Sequence, residues 1–402
     1  MISIKNKKNC CGCSACQQIC PKNCIIMKVD SEGFLYPVVE REKCVQCGLC
    51  EKVCPILNKS NIKQDVQAVA AYVKDENVRL SSSSGGVFTA LATHILKENG
   101  VVFGAAFDEK YMAHHIGIEN INDLYKLQGS KYLQSRTENT YQQAESFLKT
   151  GRKVLYTGTA CQIAGLKNYL RKEYDNLYTV DILCHGVPSP KLWEKYLKEN
   201  EDAHHSKITQ VSFRKKAFGW KNFAMSLSFE NKEEYLKEHD GDPFMKLFLK
   251  NICLRPSCHD CRFKTLNRPS DITIGDCWGI QYYIPKMDDD KGTSVLLTHS
   301  KKGIELYTLC SKDMVVHDAV TDRILPPTAD SRESVLPHPN RKKLFAKLNQ
   351  GESIEQLLEL LKPSAYCKIV KVIQHLREPY RCKRVIRKEL HIVKQKLLHN
   401  KH

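Results

Sequence analysis

The chain has 402 residues, of which 42% are hydrophobic and 27% charged, with a formal net charge of +17. This is the composition of a soluble globular chain long enough for two or three domains, and it excludes a disordered protein, a collagen-like fibre and a bundle of membrane spans. No apolar h-region follows Lys5, Lys7 and Lys8, and no apolar run reaches the roughly 18 residues of a spanning helix, so a cytoplasmic location is expected. Nineteen cysteines in such a compartment point to metal rather than to disulfides.

The first element read along the chain is a double cysteine run. Cys10, Cys13, Cys16, Cys20 and Pro21 follow C-x2-C-x2-C-x3-C-P, and Cys44, Cys47, Cys50, Cys54 and Pro55 repeat it. That doubled spacing predicts a bacterial ferredoxin segment over 1–60 holding two [4Fe–4S] clusters. In that arrangement three close cysteines bind one cubane and the fourth crosses to the other. Cys10, Cys13, Cys16 and Cys54 are assigned to one cluster, and Cys44, Cys47, Cys50 and Cys20 to the second. Structural zinc needs only four ligands per site and has no use for the third step or the prolines. A radical-enzyme motif starting at Cys20 and Cys24 fails because Met27 stands where its third cysteine is required. Cys11 and Cys24 fall outside the spacing and read as bystanders, although Cys11 is an alternative to Cys10. Residues 1–60 carry nine Lys/Arg and five Asp/Glu, so two clusters of charge near −2 would bring the segment close to neutral.

The polar stretch 58–68 reads as a linker. Ser82–Ser83–Ser84–Gly85–Gly86 then precedes a helix whose Val87, Leu91 and Ile95 share a face, and Asn99–Gly100 ends it before a buried strand from Val101. Lys153–Tyr156 is a strand, Thr157–Gly158–Thr159 a turn into a helix through Leu170, and Leu177–Leu183 a further strand. Ser189 caps a helix with Pro190 at its first position. The alternation predicts an α+β or α/β domain with some parallel pairing. The two glycine turns at Ser82–Gly86 and Thr157–Thr159 suit an anionic ligand at a helix N-terminus, but fit neither the dinucleotide fingerprint nor the P-loop.

Cys161, Cys184, Cys258 and Cys261 lie at intervals through this body. Their spacing alone leaves open a third metal site or packing as small apolar side chains. His185 reads as a turn histidine bonded to backbone, and His114–His115 and His204–His205 as surface pairs. Asp288–Asp289–Asp290 reads as a loop run, and Lys131, Lys216 and Arg255 as solvated charges before they are phosphate ligands. Ser353–Leu361 predicts a capped helix. Beyond it, residues 362–402 hold twelve Lys/Arg against two Glu among periodic apolar residues. Such a tail reads either as a solvated terminal helix with no role of its own or as one that lies on an anionic membrane surface, such as the inner membrane face, or on an acidic partner protein; no motif for specific nucleic-acid binding accompanies it.

Taken in order, the cysteine runs, S-S-S-G-G-V-F, G-S-K-Y, G-T-A-C-Q-I-A-G-L, D-I-L-C-H-G-V-P-S-P, R-P-S-C-H-D-C-R-F-K, S-D-I-T-I-G-D-C-W-G and K-G-T-S resemble the coenzyme F420 hydrogenase/dehydrogenase beta-subunit family over residues 1–300. More narrowly, the chain resembles bacterial members found with capsular or exopolysaccharide biosynthesis genes. The resemblance implies a ferredoxin domain at 1–60, a mixed α/β flavin and iron–sulfur domain at 69–345, and a helical basic tail at 346–402. It implies that Cys161, Cys184, Cys258 and Cys261 hold a third [4Fe–4S] cluster. It also implies that Ser83, Ser84, Gly85, Gly86, Gly129, Ser130, Lys131, Tyr132, Thr157, Gly158 and Thr159 help to hold FAD, with Cys277 left to packing. The implied activity is an oxidoreductase passing electrons between clusters and FAD, served by a redox partner such as ferredoxin and acting on a small-molecule substrate, with coenzyme F420 among the candidates. The alternative is a non-catalytic electron-transfer module feeding a partner reductase. No catalytic residue is assigned.

Overall fold

A computed structural model describes residues 1–58, 66–325 and 332–362. The expected linker lies mostly outside these residues, and the basic tail beyond Lys362 wholly so. In the N-terminal segment each cysteine run winds into a single helical turn, α1 (Ala15–Gln18) and α2 (Leu49–Lys52). Each turn is entered through a residue of positive φ, Ser14 at 58° and Gly48 at 73°. Between them β1 (Ile25–Val29) and β2 (Leu35–Val39) form an antiparallel hairpin, with Ile25 opposite Val39 and Val29 opposite Leu35.

The body opens with β3 (Gln67–Val73), α3 (Glu76–Ser81), α4 (Val87–Lys97), β4 (Val101–Phe107) and β5 (Ala113–Ile118). It continues through α5 (Thr140–Lys149), β6 (Val154–Thr159), α6 (Ala160–Leu170), β7 (Leu177–Ile182) and α7 (Pro190–His204). Next come β8 (Ile208–Lys215), β9 (Ala224–Phe229), β10 (Glu234–Glu238), α8 (Pro243–Leu249), β11 (Ile272–Asp276) and α9 (Ile280–Tyr283). The last elements are β12 (Ser294–Thr298), α10 (Lys301–Ser311), β13 (Met314–Ala319), α11 (Thr321–Ile324), α12 (Arg341–Asn349) and α13 (Ile354–Leu358).

Eight strands form one sheet in the order β13-β3-β12-β11-β7-β6-β4-β5. Its centre, β11-β7-β6-β4, is parallel, and every other pairing in the sheet is antiparallel. The expectation of a mixed α/β body with parallel pairing is met. Side chains alternate across the sheet with the two-residue period of a strand. Val102, Leu155 and Leu296 pack with Val87, Leu91 and Ile95 of α4, whereas Val101, Phe103, Val154 and Tyr156 pack with α5 and α6. Both faces of the parallel centre are thereby covered, as parallel strands require. The helix starts fall where their caps predict: Ser189 Oγ accepts from Leu192 N ahead of Pro190, Thr159 and Gln162 form a capping box on α6, and Ser353 and Gln356 form one on α13.

A smaller antiparallel sheet, β10-β9-β8, builds the second core with α7, α8, α12 and α13 around Trp193, Phe213 and Phe244. Phe34 and Tyr36 of the N-terminal hairpin enter this same core. So do Leu348, Ile354 and Leu357, and the boundary expected at 345 falls inside α12. Arg341 on that helix holds Glu32 of the hairpin loop through two bonds of 2.9 and 2.6 Å. Among the described residues no helix is long and apolar enough to cross a membrane.

The cysteine run also meets the large sheet's helical layer. A Cβ on Gly165 of α6 would stand 3.0 Å from both Cβ and Sγ of Cys13, so only glycine lets the helix come this close. Gly165→Val is expected to cost about 1–3 kcal/mol through overpacking and to lower the iron retained by the N-terminal segment. Anaerobic denaturant unfolding, with iron assayed before and after, checks both.

Candidate functional site

The cysteines of the two N-terminal runs lie close together. Cys16 has Cys10, Cys54 and Cys50 among its charged neighbours, and Cys54 has Cys10. Burial raises both thiols, and the adjacent thiolates raise them further. Cys20, Cys44, Cys47 and Cys50 surround a second recess, which Cys24 shares. Cys24 Sγ is 3.3 Å from Cys20 Sγ, so it is part of this wall rather than remote from it. Ile2 N donates to Cys50 Sγ at 3.3 Å. Cys47 is exposed, whereas Cys13, Cys16 and Cys50 are buried. Among the described residues no three His, Cys, Asp or Glu side chains converge tightly enough for a single metal ion. A cubane asks for a wider spread, because its four thiolates stand on separate iron corners.

A cleft of about 310 Å³ opens at the carboxyl ends of β6, β7 and β11, the usual place for a ligand in an open α/β sheet. Its walls include ten of the eleven residues expected at a flavin, together with Cys161, Cys184, Cys258 and Cys261. Gly85 is the exception. It turns into the sheet, where its N–H donates to Ser294 Oγ at 2.9 Å and a Cβ would meet the Ala71 carbonyl at 2.5 Å. Two helices point their N-termini at the cleft: Ser83, Ser84 and Gly86 precede α4, and Thr159 caps α6. First-turn N–H groups have no acceptor inside the helix, which makes these ends suited to an anion.

The four cleft cysteines come from three places. Cys161 lies in the first turn of α6, Cys184 follows β7, and Cys258 and Cys261 bracket the end of a 3-10 turn over Pro256–Asp260. Cys161 is a charged neighbour of Cys184, Cys258 and Cys261 alike, so the fold does bring the four together. Burial pushes Cys184 up to about 12 and raises Cys258 and Cys261, and the hydrogen bond with Cys11, then burial, raises Cys161, so metal binding here must displace protons. The loops are tied by a buried pair that sequence reasoning missed. Arg268 donates to the Phe263 carbonyl at 2.8 Å and the Ile182 carbonyl at 3.1 Å, while its Nε stands 3.4 Å from Asp181 Oδ1. Cys184 and Cys261 lie two residues from those carbonyls. Cys11 is also better placed than a bystander: its thiol reaches both Cys13 and Cys161 and lines the cleft.

Several charged residues are not where the sequence suggested. His115 is buried: Nδ1 meets Ser135 Oγ at 2.7 Å and Nε2 the Thr157 carbonyl at 2.9 Å. Strand alternation in β5 sends His114 outward and His115 inward, so they are not a surface pair. His185 bonds the Asn251 side chain at 2.7 Å, and it is its carbonyl that accepts from Lys264. Lys131 donates to the Gln128 and Gly129 carbonyls, and burial lowers it to about 8. Lys216 donates to three carbonyls, of Arg79, Ser84 and Lys291, at 2.6–2.8 Å. Neither is a solvated charge, and nor is Arg255, which is fully buried. Within the aspartate run, Asp288 pairs with Lys221 and Asp289 with Arg79. Cys277 packs in the core, as expected.

This fold, with cysteine sets spaced for cubanes, defines an iron–sulfur protein of the oxidoreductase, electron-transfer class. The model for the C terminus of the coenzyme F420 hydrogenase/dehydrogenase beta subunit matches residues 151–321, its N-terminal counterpart matches 68–140, and a 4Fe–4S dicluster domain matches 9–57. The two beta-subunit models together span more than half of the chain, which belongs to the coenzyme F420 hydrogenase/dehydrogenase beta-subunit family and carries iron–sulfur clusters in its N-terminal segment. No curated protein matches it. Among solved structures, a chain of the F420-reducing [NiFe] hydrogenase complex from Methanosarcina barkeri is similar at 19% identity and a TM-score of 0.46, over 72% of this chain and 91% of that one.

His115 gives the cleft a defined response to acid. Burial lowers it to about 4 from an unfolded value near 6.5. The unfolded chain then binds the extra proton first, so the contribution is complete above pH 6.5 and is lost as pH falls toward 4. It amounts to about 3 kcal/mol. His115→Gln is expected to flatten the fall in unfolding free energy between pH 7 and pH 5 relative to the parent protein; unchanged slopes would show that His115 does not set this limb.

Proposed function

We propose that this chain is an iron–sulfur flavoprotein that carries electrons between a redox partner and FAD bound in the cleft, for transfer to a small-molecule substrate. The reading rests chiefly on one observation: the four body cysteines and the two glycine turns, far apart in sequence, line one cleft. In this reading Cys10, Cys13, Cys16 and Cys54 hold the inner N-terminal [4Fe–4S] cluster, and Cys20, Cys44, Cys47 and Cys50 the outer one. Cys161, Cys184, Cys258 and Cys261 hold a third. Residues 1–58 act as the ferredoxin domain, seated on the body that follows.

The residues of the cleft suit the cofactor. Ser84, Gly86 and Thr159 present two helix N-termini to its phosphates. Lys131 is held by two carbonyls at the cleft wall, where it adds positive charge. Gly129, at φ +78° with open space where a Cβ would be, lets backbone approach a ring or ribose. Bound there, a flavin exchanges one-electron for two-electron chemistry. The protein's part is to orient it beside the cysteines and to shield it from water. The redox partner, a ferredoxin or a protein of that kind, meets the exposed end at Cys47, where Val45 is also exposed. Coenzyme F420 and polysaccharide-pathway intermediates are the first substrates to screen.

A second reading, an electron-transfer module that feeds a separate reductase, draws on a different observation. His115 and Lys131, titratable groups of the cleft wall, are both engaged by hydrogen bonds within the protein, which leaves neither offered as an acid or base. Substrate-dependent reoxidation of the reduced flavin separates the two.

Chromatography of acid-released cofactor from anaerobically purified protein is expected to yield about one FAD per chain; no flavin, even after reconstitution, would remove the leading reading. Iron analysis is expected to give about twelve atoms per chain, falling to about eight in Cys184→Ser with the N-terminal clusters intact. An unchanged iron count in that variant would take the third cluster away from these cysteines.

A further inference from the structure

A buried cation lies between the first cysteine set and the cleft. Arg255 is fully buried at the start of the turn that carries Cys258. Its Nε donates to the Cys10 carbonyl at 2.9 Å, and one terminal nitrogen donates to Gln134 Oε1 at 2.8 Å. The other donates to the Leu35 carbonyl at 2.9 Å and reaches Cys10 Sγ at 3.6 Å. The guanidinium also lies 4.3 Å from the centre of the Tyr36 ring. The cysteine loop is moulded onto this group: Gly12, at φ +72°, has Gln134 Nε2 2.1 Å and an Arg255 nitrogen 3.0 Å from where a Cβ would be.

A buried ion without a counter-charge is strongly destabilising. Among the described residues, none of the groups bonded to Arg255 is a carboxylate; they are carbonyls, an amide and a thiol. The ionisable groups facing it include the thiols of Cys10, Cys11 and Cys258, of which Cys10 and Cys258 would become thiolates on binding a cluster. The surroundings of the second set differ. Lys22 on the wall of its recess is exposed, and the nearby Lys43 is exposed and paired with Glu40. Water and salt screen such charges.

Net charge, hydrogen bonds to sulfur and exposure set the potential of a [4Fe–4S] cluster. Each electron added makes the cluster more negative, so a buried cation donating to a ligand sulfur favours the reduced form. We propose that Arg255 is a positioning residue that holds the cluster of Cys10, Cys13, Cys16 and Cys54 at a higher reduction potential than the cluster of Cys20, Cys44, Cys47 and Cys50. An electron entering at the exposed Cys47 end then settles on the inner cluster. In that step the outer cluster is oxidised by one electron and the inner one reduced by one, with no bond or proton changing place. Cys11, in reach of both Cys13 and Cys161, continues the path to the cleft. The inference rests on the cluster assignment proposed above.

The test is an EPR-monitored redox titration of the anaerobic full-length protein, after iron and sulfide analysis has established that both N-terminal clusters are present. Cys47→Ser, which alters only an outer ligand, assigns the two waves. Arg255→Gln is expected to lower the inner wave by at least a tenfold change in the reduction equilibrium, 59 mV for one electron, and to leave the outer wave in place. Arg255→Lys restores most of that shift. Gln134→Glu, which puts a carboxylate beside the guanidinium, lowers the same wave while keeping the arginine, and so decides the matter if Arg255→Gln does not fold. An inner wave unmoved in the variants that fold, or a shift confined to the outer wave, overturns the role of Arg255. Parent protein without two N-terminal clusters overturns the assignment beneath it instead.

Discussion

The structure depends on how an N-terminal segment with little apolar core of its own is held against a much larger body. A segment built around cysteines buries few large side chains, and the hairpin's Phe34 and Tyr36 find their partners in the core of Trp193 and Phe244. Arg255 and Arg341 reach from the body to the hairpin and the first cysteine loop. Gly33 and Gly165 remove the side chains that would keep the surfaces apart, since a Cβ on Gly33 would meet Lys191 N at 2.6 Å. The inner cysteine set is consequently packed against the cleft wall, and the outer set faces solvent at Cys47.

The parallel centre of the large sheet serves the same end. Parallel strands leave their carboxyl ends on one edge, and the loops that follow β6 and β7 deliver Cys161 and Cys184 there. The remaining pair arrives on the segment ahead of β11. Arg268, bridging the Phe263 and Ile182 carbonyls, ties those two loops together from beneath, and Asp181 offsets its charge. Backbone carbonyls take up other buried cations in the same way. Lys216, held by three of them, binds the Ser84 turn to the loop at Lys291. The turns and loops around the cleft are therefore bonded to one another from within the protein.

Local signals carried far in this chain because they are covalent or periodic. The doubled C-x2-C-x2-C-x3-C-P run needs no tertiary information, since its short gaps permit only a few backbone paths around a cluster. Caps at Thr159, Ser189 and Ser353 start helices through their own side chains, and the Val87, Leu91 and Ile95 stripe announces a buried face. Histidines and lone charges were less legible. His115 differs from His114 only by the phase of a strand whose partner lies in the next element, and Lys131, Lys216 and Arg255 look in sequence like any surface cation.

By itself, then, the sequence determined the doubled cysteine motif of a dicluster segment, the alternation of strands and helices, and the family, because spacing and periodicity are properties of neighbouring residues. Only the tertiary structure decided that Cys161, Cys184, Cys258 and Cys261 share one cleft, that Gly85 turns away from it, and that Cys11 and Arg255 lie between the first cysteine set and that cleft. Those outcomes depend on contacts between residues as far apart as Cys10 and Arg255. They are set by which strand ends fall on the same edge and by which buried charges find a partner.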